Sequence, residues 1–303
     1  MDAFAALLDR LVVTPQRNAK LQLIADYCAA TPDPDRGYAI AAITRDLDLK
    51  AVKPAMLRQL ISERMDPELF ELSYNYVGDL AETISLVWPG KRGANRIPPL
   101  GEVVERLRAT SRTEAPGVMT AYLDAMGPAE RRALIKLATG GLRIGVSARL
   151  AKTALARFGD KELSEIEEIW HGLEPPFEPL FAWLEGEAER PAAAAAAPFR
   201  PVMLAHPIDA EKDLDGISPE THFAEWKWDG IRVQAAAEDG ARRLYTRTGE
   251  DIGAAFPDII EALDFDAAID GELLIFDPET DALNPRPFSD LQKRLNRKTV
   301  SKA

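Results

Sequence analysis

Hydrophobic residues in the first 188 positions recur at the three- and four-residue spacing of amphipathic helices. The clearest runs are Phe4, Leu7, Leu8 and Leu11, and then Leu21, Ile24, Ala25 and Cys28. Further helices are predicted near residues 40–47, 53–64, 79–87, 100–109, 116–126, 128–138, 147–158 and 162–170, with proline and glycine between them. The pattern therefore predicts an all-α N-terminal domain over residues 1–187.

The pattern changes after a stretch of low complexity. Residues 188–200 contain six consecutive alanines between prolines, which predicts a short connector. Beyond it, β-prone runs at 223–236, 242–247 and 268–276 predict strands, with Asp-Gly turns at 229–230 and 239–240 and a helix over 256–263. Residues 201–303 are therefore expected to form an α+β domain.

Composition narrows the class of protein. The chain of 303 residues has a net charge of −12, and it has no apolar run of about 18 residues, the length that a membrane helix needs. Its N-terminus lacks the basic start and apolar core of a signal peptide. The single cysteine, Cys28, excludes an internal disulfide and is compatible with a reducing compartment. We expect a cytoplasmic protein without a membrane partner or a structural zinc site.

Two basic stretches interrupt this acidic background. Residues 131–157 hold seven lysines and arginines and no acidic residue, and residues 286–302 hold six against one aspartate, Asp290. Basic clusters of this kind attract phosphates, although either stretch taken alone is equally typical of a solvated surface. The charge distribution leaves both interpretations open.

Residues 225–232 read Glu-Trp-Lys-Trp-Asp-Gly-Ile-Arg and place one lysine in an apolar, β-prone stretch. The reference pKa of lysine is about 10.4, so an enzyme that uses lysine as a nucleophile must partly desolvate it or place it near positive charge. In a strand, Glu225, Lys227 and Asp229 would share one face and the two tryptophans the other, buried face. The Asp-Gly turn would then return Arg232 to the site. An ordinary hairpin with a surface row of charges is the alternative.

Two further elements carry candidate chemistry. Asp270 and Glu272 lie two apart in an apolar run, and buried acids are costly unless they bind a cation or hydroxyl groups. Arg247 is the last residue of a predicted strand and precedes a turn, a position from which a guanidinium can bind a phosphate through two hydrogen bonds. Each element is weak evidence when it is taken alone.

Together these elements resemble the covalent nucleotidyltransferase superfamily, and the whole chain resembles an ATP-dependent DNA ligase of bacterial type. The resemblance implies that Lys227 attacks the α-phosphate of ATP, with Mg²⁺ present, to form a lysyl-adenylate. It also implies roles for the neighbouring residues: adenine recognition by Glu225, ribose binding by Arg232, binding of the 5′-phosphate of the nick by Arg247, ribose or metal binding by Glu272, and help in nick sealing by Asp229.

The resemblance extends to the helical domain. Residues 140–147, Gly-Gly-Leu-Arg-Ile-Gly-Val-Ser, resemble the loop of the ligase DNA-binding domain that precedes a helix. Glycines allow backbone N–H groups to approach phosphates, and a helix N-terminus attracts anions. The DNA-binding residues expected from this loop and the helix after it are Gly141, Arg143, Gly145, Arg149 and Lys152. A plain glycine-rich connector is the alternative.

The sequence also departs from the family pattern. After Phe276 we find neither the aromatic adenine-stacking segment, nor the further acidic and lysine-bearing motifs, nor the OB-fold domain that the resemblance implies. We therefore expect an incomplete ligase core with a partial adenylation domain, and weak or absent adenylation by these 303 residues. The expected partner is nicked double-stranded DNA, bound by a monomer associated with the nucleoid. The alternatives are an RNA ligase or RNA-capping enzyme, and a nick-binding protein without catalysis.

Overall fold

A computed structural model describes residues 1–89, 96–192, 196–203, 205, 207–209, 211–277 and 285–297. The chain divides into two compact units. The first consists of Met1–Ile166 and Leu173–Pro191, and the second of Glu167–Gly172 and Ala192–Ala303. None of the helices in the described ranges combines the length and the hydrophobicity that a membrane span requires.

The first unit is helical, as predicted. The helices that begin in it are, in chain order, α1 (Asp2–Val13), α2 (Arg17–Ala30), α3 (Asp35–Thr44), α4 (Pro54–Ser62), α5 (Pro67–Val77), α6 (Leu80–Val87), α7 (Leu100–Ala109), α8 (Ala115–Ala125), α9 (Pro128–Thr139), α10 (Ala148–Gly159), α11 (Leu163–Ile169) and α12 (Glu178–Leu184). Helix α1 packs on α9, and α2 packs on α10. The loop from α9 to α10 therefore lies beside the junction of the first two helices.

Most predicted helices are confirmed, and a few differ from the prediction. Helix α3 begins at Asp35, five residues before the predicted range, and Asp35 accepts hydrogen bonds from the backbone N–H groups of Leu100 and Gly101. Helices α5 and α12 were not predicted. Helix α5 buries only Phe70, so it lacks a periodic apolar face, but it has an N-cap in Asp66 followed by proline.

The second unit contains a small antiparallel sheet. Its strands are β1 (Ile231–Glu238), β2 (Ala241–Thr246) and β3 (Ala267–Leu273), in the order β2-β1-β3. Helices α13 (Pro257–Ala262) and α14 (Phe288–Leu295) accompany it, and α14 was not predicted. The predicted turn at 239–240 is confirmed: Asp239 and Gly240 have φ angles of 50° and 78°, as a two-residue type I′ hairpin requires.

The two faces of the sheet pack on different partners. One face buries Val233 and Leu244 against Phe256 and Leu291. On the other face, Tyr245 packs against residues 197 and 199, and its hydroxyl donates to the carbonyl of residue 197 at 2.9 Å. These two residues lie within the range expected for the connector. Part of that range therefore belongs to the core of the second unit.

The predicted strand over 223–236 is wrong in its first half. The strand begins only at Ile231, and Asp229-Gly230 does not turn a hairpin. A Cβ atom at Gly230 would lie 2.4 Å from the carbonyl oxygen of Leu273. The glycine therefore allows the backbone to approach β3 closely. Its role is close packing rather than reversal of the chain.

Asp79 provides a test of how the first unit is stabilised. Its carboxylate accepts hydrogen bonds from the Glu82 backbone N–H and from the Lys136 ammonium, both at 2.9 Å. Burial acts to raise the pKa of Asp79, but these hydrogen bonds outweigh it, so the pKa is lowered. The carboxylate therefore stabilises the fold above its unfolded-state pKa of about 3.9, and this stabilisation is lost as the pH falls through the lowered pKa.

We predict that Asp79→Ala lowers the free energy of unfolding by about 1–2 kcal/mol at pH 7, because a helix cap and a partly buried ion pair are lost. Asp79→Asn, which keeps a capping oxygen without the charge, should lose less. Urea unfolding at pH 7 and at pH 3 measures both variants. Equal stability of Asp79→Ala and the parent at pH 7 would contradict this assignment.

Candidate nucleic-acid interface and acceptor lysine

The loop between α9 and α10 has a strongly curved backbone. Gly140 and Gly141 end α9 by donating to the carbonyls of Leu137 and Lys136, at 3.2 and 2.9 Å, which is the Schellman arrangement. The φ angles of Gly140 and of residues 143 and 145 are 70°, 48° and 64°. Position 143 is an arginine, for which a left-handed conformation costs about 1–2 kcal/mol. The surrounding structure must therefore hold the loop in this shape.

Burial alternates along this loop. Leu142 and Ile144 are 8% and 4% exposed, whereas Arg143 and Gly145 face solvent. The buried pair lines a small cavity together with residues of α1 and α9, which include Leu8. Burial of these two apolar side chains thus presents Arg143 outward at a fixed place.

A cleft of about 600 Å³ opens beside the loop. It lies between the loop, the start of α2 and the end of α3, and its charged lining residues are Arg17, Lys20, Arg45 and Arg143. Among the described residues that line it there is no carboxylate, and none of these four cations has an ion-pair partner in the described ranges. An acid-free cleft with four cations favours a polyanionic ligand.

Three of these cations were missed by sequence reasoning. Arg17 and Arg45 are exposed, and Lys20 is buried, at 8% exposure. The ammonium of Lys20 donates to the carbonyl oxygens of Ile144 and Gly145 at 2.6 and 3.1 Å. The signal available in the sequence was the spacing of Arg17 and Lys20, three apart on one face of α2, but ordinary solvated helices show the same spacing.

Helix α10 adds its N-terminus to the same region. Ser147 caps the helix by accepting from the backbone N–H of Leu150 at 3.2 Å, and the first turn contains no acidic residue. No carboxylate of that turn therefore offsets the positive end of the helix dipole. Arg149 is exposed in this turn, as the DNA-binding prediction requires. Gly141 is half-buried at the start of the loop.

The rest of the basic stretch over 131–157 is largely structural. Arg131 is 6% exposed and donates to two backbone carbonyls, those of residues 123 and 88. Arg132 pairs with Asp9, and Lys136 pairs with Asp79. Lys152 is also only 6% exposed, which argues against the predicted direct contact between Lys152 and a phosphate.

The basic stretch over 286–302 is compensated locally where the structure describes it. Lys293 pairs with Asp290 at 2.9 Å, and Arg294 pairs with Asp258 and lies over the ring of Phe256. Arg286 also has a carboxylate partner, at 3.4 Å. These contacts favour a structural interpretation of this stretch over a phosphate-binding one. The lysines at 298 and 302 lie outside the described residues.

The structure corrects the predicted environment of Lys227. Residues 223–227 and Asp229 are exposed, and Trp226 has 85% of its surface accessible. The expected burial of the lysine between two tryptophans is therefore wrong, because this segment is not a strand and has no inner face. The described residues contain no hydrogen bond or ion pair that joins Lys227 or Glu225 to the rest of the predicted site.

Arg232, Asp270 and Glu272 do come together on the sheet. Arg232 lies opposite Glu272 in the register of β1 and β3, and its Nη2 is 2.5 Å from Oδ2 of Asp270. The hydrogen bond to Asp270 raises the pKa of Arg232. Oε1 of Glu272 accepts the backbone N–H of Gly230 at 3.1 Å, at the last residue of the Lys-x-Asp-Gly motif.

The prediction that Asp270 and Glu272 lie on a buried strand is wrong. Among the described residues, strand β3 is at the edge of the three-stranded sheet, and both residues are exposed. The described residues contain no cluster of three or more His, Cys, Asp or Glu residues that could hold a metal. Mg²⁺ commonly uses one or two carboxylates together with substrate phosphates, so an exposed Glu272 fits a ligand shared with a nucleotide.

Arg247 lies in the turn that follows β2. The turn is closed by hydrogen bonds from the Gly249 N–H to the Thr246 carbonyl at 2.9 Å and from the Thr246 N–H to the Glu250 carbonyl at 2.8 Å. Gly249 has a φ of 83°, which suits glycine. Arg247 is exposed, and no ion pair engages it in the described part of the chain. Its guanidinium is therefore accessible to a phosphate.

Comparisons with known proteins show the family to which the chain is similar. The family model described as "DNA ligase N terminus" matches residues 1–156, and the model described as "ATP dependent DNA ligase domain" matches residues 202–303. A probable DNA ligase of Koribacter versatilis is 26% identical over an alignment of 322 positions, which covers 100% of this chain and 54% of the relative. A DNA ligase of Methanosphaerula palustris is 32% identical over 179 residues, 57% of this chain and 31% of the relative.

A probable DNA ligase of an Anaeromyxobacter species is 30% identical over 214 residues, 66% of this chain and 41% of the relative. These matches define the class, which is a helical ligase N-terminal domain followed by part of a ligase adenylation domain. Because the N-terminal match alone covers 156 of 303 residues, the chain belongs to the ATP-dependent DNA ligase family. It spans about a third to a half of the length of these curated relatives.

Proposed function

We propose that the protein seals nicks in duplex DNA through a lysyl-AMP intermediate on Lys227. The observation that carries this proposal is the combination, in one chain, of the Lys-x-Asp-Gly lysine with a cationic cleft in the helical unit that has no carboxylate among its described lining residues. The first is the group that family members adenylate, and the second is suited to the phosphates of DNA. Membership of the ligase family supports both parts.

The proposed chemistry has three steps. The amine of Lys227 attacks the α-phosphate of ATP, so that an N–P bond forms, the bond to the β-phosphate oxygen breaks and pyrophosphate leaves. AMP then passes from the lysine to the 5′-phosphate of the nick. The 3′-hydroxyl finally attacks that phosphate, expels AMP and closes the strand. All three are phosphoryl-type transfers, for which alignment and charge neutralisation supply most of the catalysis.

The residue roles in the second unit follow from the family resemblance and are proposals here. Glu225 is assigned to adenine, Arg232 to the ribose and Glu272 to the ribose or Mg²⁺. Asp229 is assigned to the sealing step and Arg247 to the 5′-phosphate, and the exposure of Arg247 supports its assignment. Because Arg232 is already bound to a carboxylate of β3, ribose binding requires that it share or exchange this partner.

The helical unit is proposed as the DNA-binding domain. Arg143, Gly145 and Arg149 are exposed along the cleft and the α10 N-terminus, where they would contact the DNA backbone without reading bases. Gly141 is proposed to allow a further close approach of the backbone to a phosphate.

The protein is proposed to act as a monomer in the cytoplasm at the nucleoid. The three-stranded sheet of the described residues is no counterpart of an OB-fold, and that domain is proposed to lie outside these 303 residues.

The proposed nucleophile is tested by adenylation with α-labelled ATP and Mg²⁺. In protein expressed from the whole reading frame, Lys227→Ala should abolish covalent labelling, because the motif supplies this one lysine as the acceptor. Lys212→Ala, which alters an exposed lysine of the same unit, is the matched control and should label normally. The 303-residue chain should label weakly or not at all, since Lys227 is exposed there. Persistent labelling of Lys227→Ala would refute the assignment.

The proposed DNA interface is tested by the salt dependence of binding. Arg143→Ala should weaken binding of the 303-residue chain to a nicked duplex about tenfold, and it should reduce the slope of log K against log salt by roughly 0.9, the loss of one phosphate contact. Arg157→Ala, which alters an exposed arginine outside the cleft, is the control. Fluorescence anisotropy at several salt concentrations measures both. An unchanged slope in Arg143→Ala would show that Arg143 does not bind phosphate.

A further inference from the structure

Lys20 is a buried cation without a carboxylate partner in the described ranges. Its ammonium is 2.6 Å from the carbonyl oxygen of Ile144 and 3.1 Å from that of Gly145, across 124 and 125 positions of sequence. Only 8% of the residue is exposed. An ammonium buried in this way needs hydrogen-bond acceptors to offset its desolvation, and two adjacent backbone carbonyls provide them.

The contact between Lys20 and the loop requires glycine at position 145. A Cβ atom there would lie 2.7 Å from the Lys20 ammonium, and the φ angle of Gly145 is 64°. A side chain at 145 would therefore displace the ammonium as well as strain the backbone. Lys20 and Gly145 thus act together in fixing the second half of the loop.

This fixed backbone adjoins Arg143. Two consecutive peptide carbonyls bound to Lys20 restrict the chain directly after Arg143, whose own φ of 48° is unfavourable for a non-glycine residue. Without the Lys20 ammonium, the loop would lose an interaction that opposes relaxation of Arg143 to an ordinary conformation. The two carbonyl oxygens would also lose the cation that offsets their partial negative charge beside the cleft.

We propose that Lys20 is a positioning residue for phosphate binding, which it supports by holding the 144–145 backbone and thereby the guanidinium of Arg143. The proposal rests on the proposed DNA-binding function of the cleft. Lys20 also lines the cleft, so the rival explanation is that its ammonium contacts a phosphate directly. A third explanation is that Lys20 stabilises the helical unit as a whole and has no specific effect on the loop.

The first experiment needs no DNA. Amide hydrogen exchange is measured on the 303-residue chain for peptides that cover residues 140–150, in the parent, Lys20→Met and Lys53→Met. Lys53 is exposed and does not line the cleft, so its variant removes the same charge elsewhere. Positioning predicts that the 140–150 peptides exchange at least tenfold faster in Lys20→Met than in the parent, and that Lys53→Met leaves them unchanged. Peptides of α5 and α7 should exchange at the parent rate in both variants. Unchanged exchange at 140–150, or faster exchange everywhere, overturns the proposal.

The second experiment separates positioning from direct contact. Affinity for a nicked duplex is measured for Lys20→Met, Arg143→Ala and the double variant over a range of salt. Positioning predicts that Lys20→Met weakens binding about tenfold and that the double variant binds no more weakly than Arg143→Ala alone. The slope of log K against log salt should be reduced by roughly 0.9 in all three variants. If the affinity losses of the two single variants multiply in the double variant, and its salt slope is reduced by roughly 1.8, Lys20 contacts a phosphate directly and the proposal is overturned.

Gly145→Ala provides a variant that retains the lysine. The added methyl group should displace the ammonium and so reproduce both the faster exchange at 140–150 and the weaker binding, whereas normal exchange and affinity would contradict the proposal. The proposed DNA interface and the positioning role of Lys20 also fail in different ways. If Arg143→Ala binds DNA normally, the proposed interface is wrong, but hydrogen exchange still decides whether Lys20 holds the loop.

Discussion

Burial of Leu142 and Ile144 fixes the backbone on which the helical unit presents its charge. The two side chains alternate with Arg143 and Gly145, so packing of the apolar pair leaves the other two at the surface. The Schellman end of α9 and the serine cap of α10 limit the loop on both sides. A cleft lined by four cations and no carboxylate results from this arrangement among the described residues, although the chain as a whole has a net charge of −12.

The second unit is organised differently. Its central strand β1 carries Arg232, which pairs with Asp270 on the edge strand, while Glu272 binds the backbone of Gly230. This arrangement fixes the end of the Lys-x-Asp-Gly motif without enclosing the lysine itself. Lys227 is therefore attached to an ordered strand, but in this structure it lacks the desolvated surroundings that a lysine nucleophile needs.

Local patterns predicted much of the fold, but they did not predict the features that depend on packing between distant segments. Helices such as α1 were predictable because their apolar residues share one face, whereas α5 was missed because it buries one residue only. The strand over 223–230 was predicted wrongly, since β-propensity does not supply a partner strand. In the candidate site, motifs led to the proposals for Arg143 and Lys227. They could not identify Lys20, whose partners are more than 120 positions away, nor show that Lys152 is buried.

Amide hydrogen exchange of the 303-residue chain, with and without a saturating nicked duplex, decides whether the helical unit binds DNA through the α9–α10 loop and its cleft. We predict slower exchange in residues 140–150 and at the start of α2 when the duplex is bound, with α4 and α5 unchanged. Protection confined to α4 and α5, or no protection of residues 140–150 while the duplex is bound, would contradict this interface.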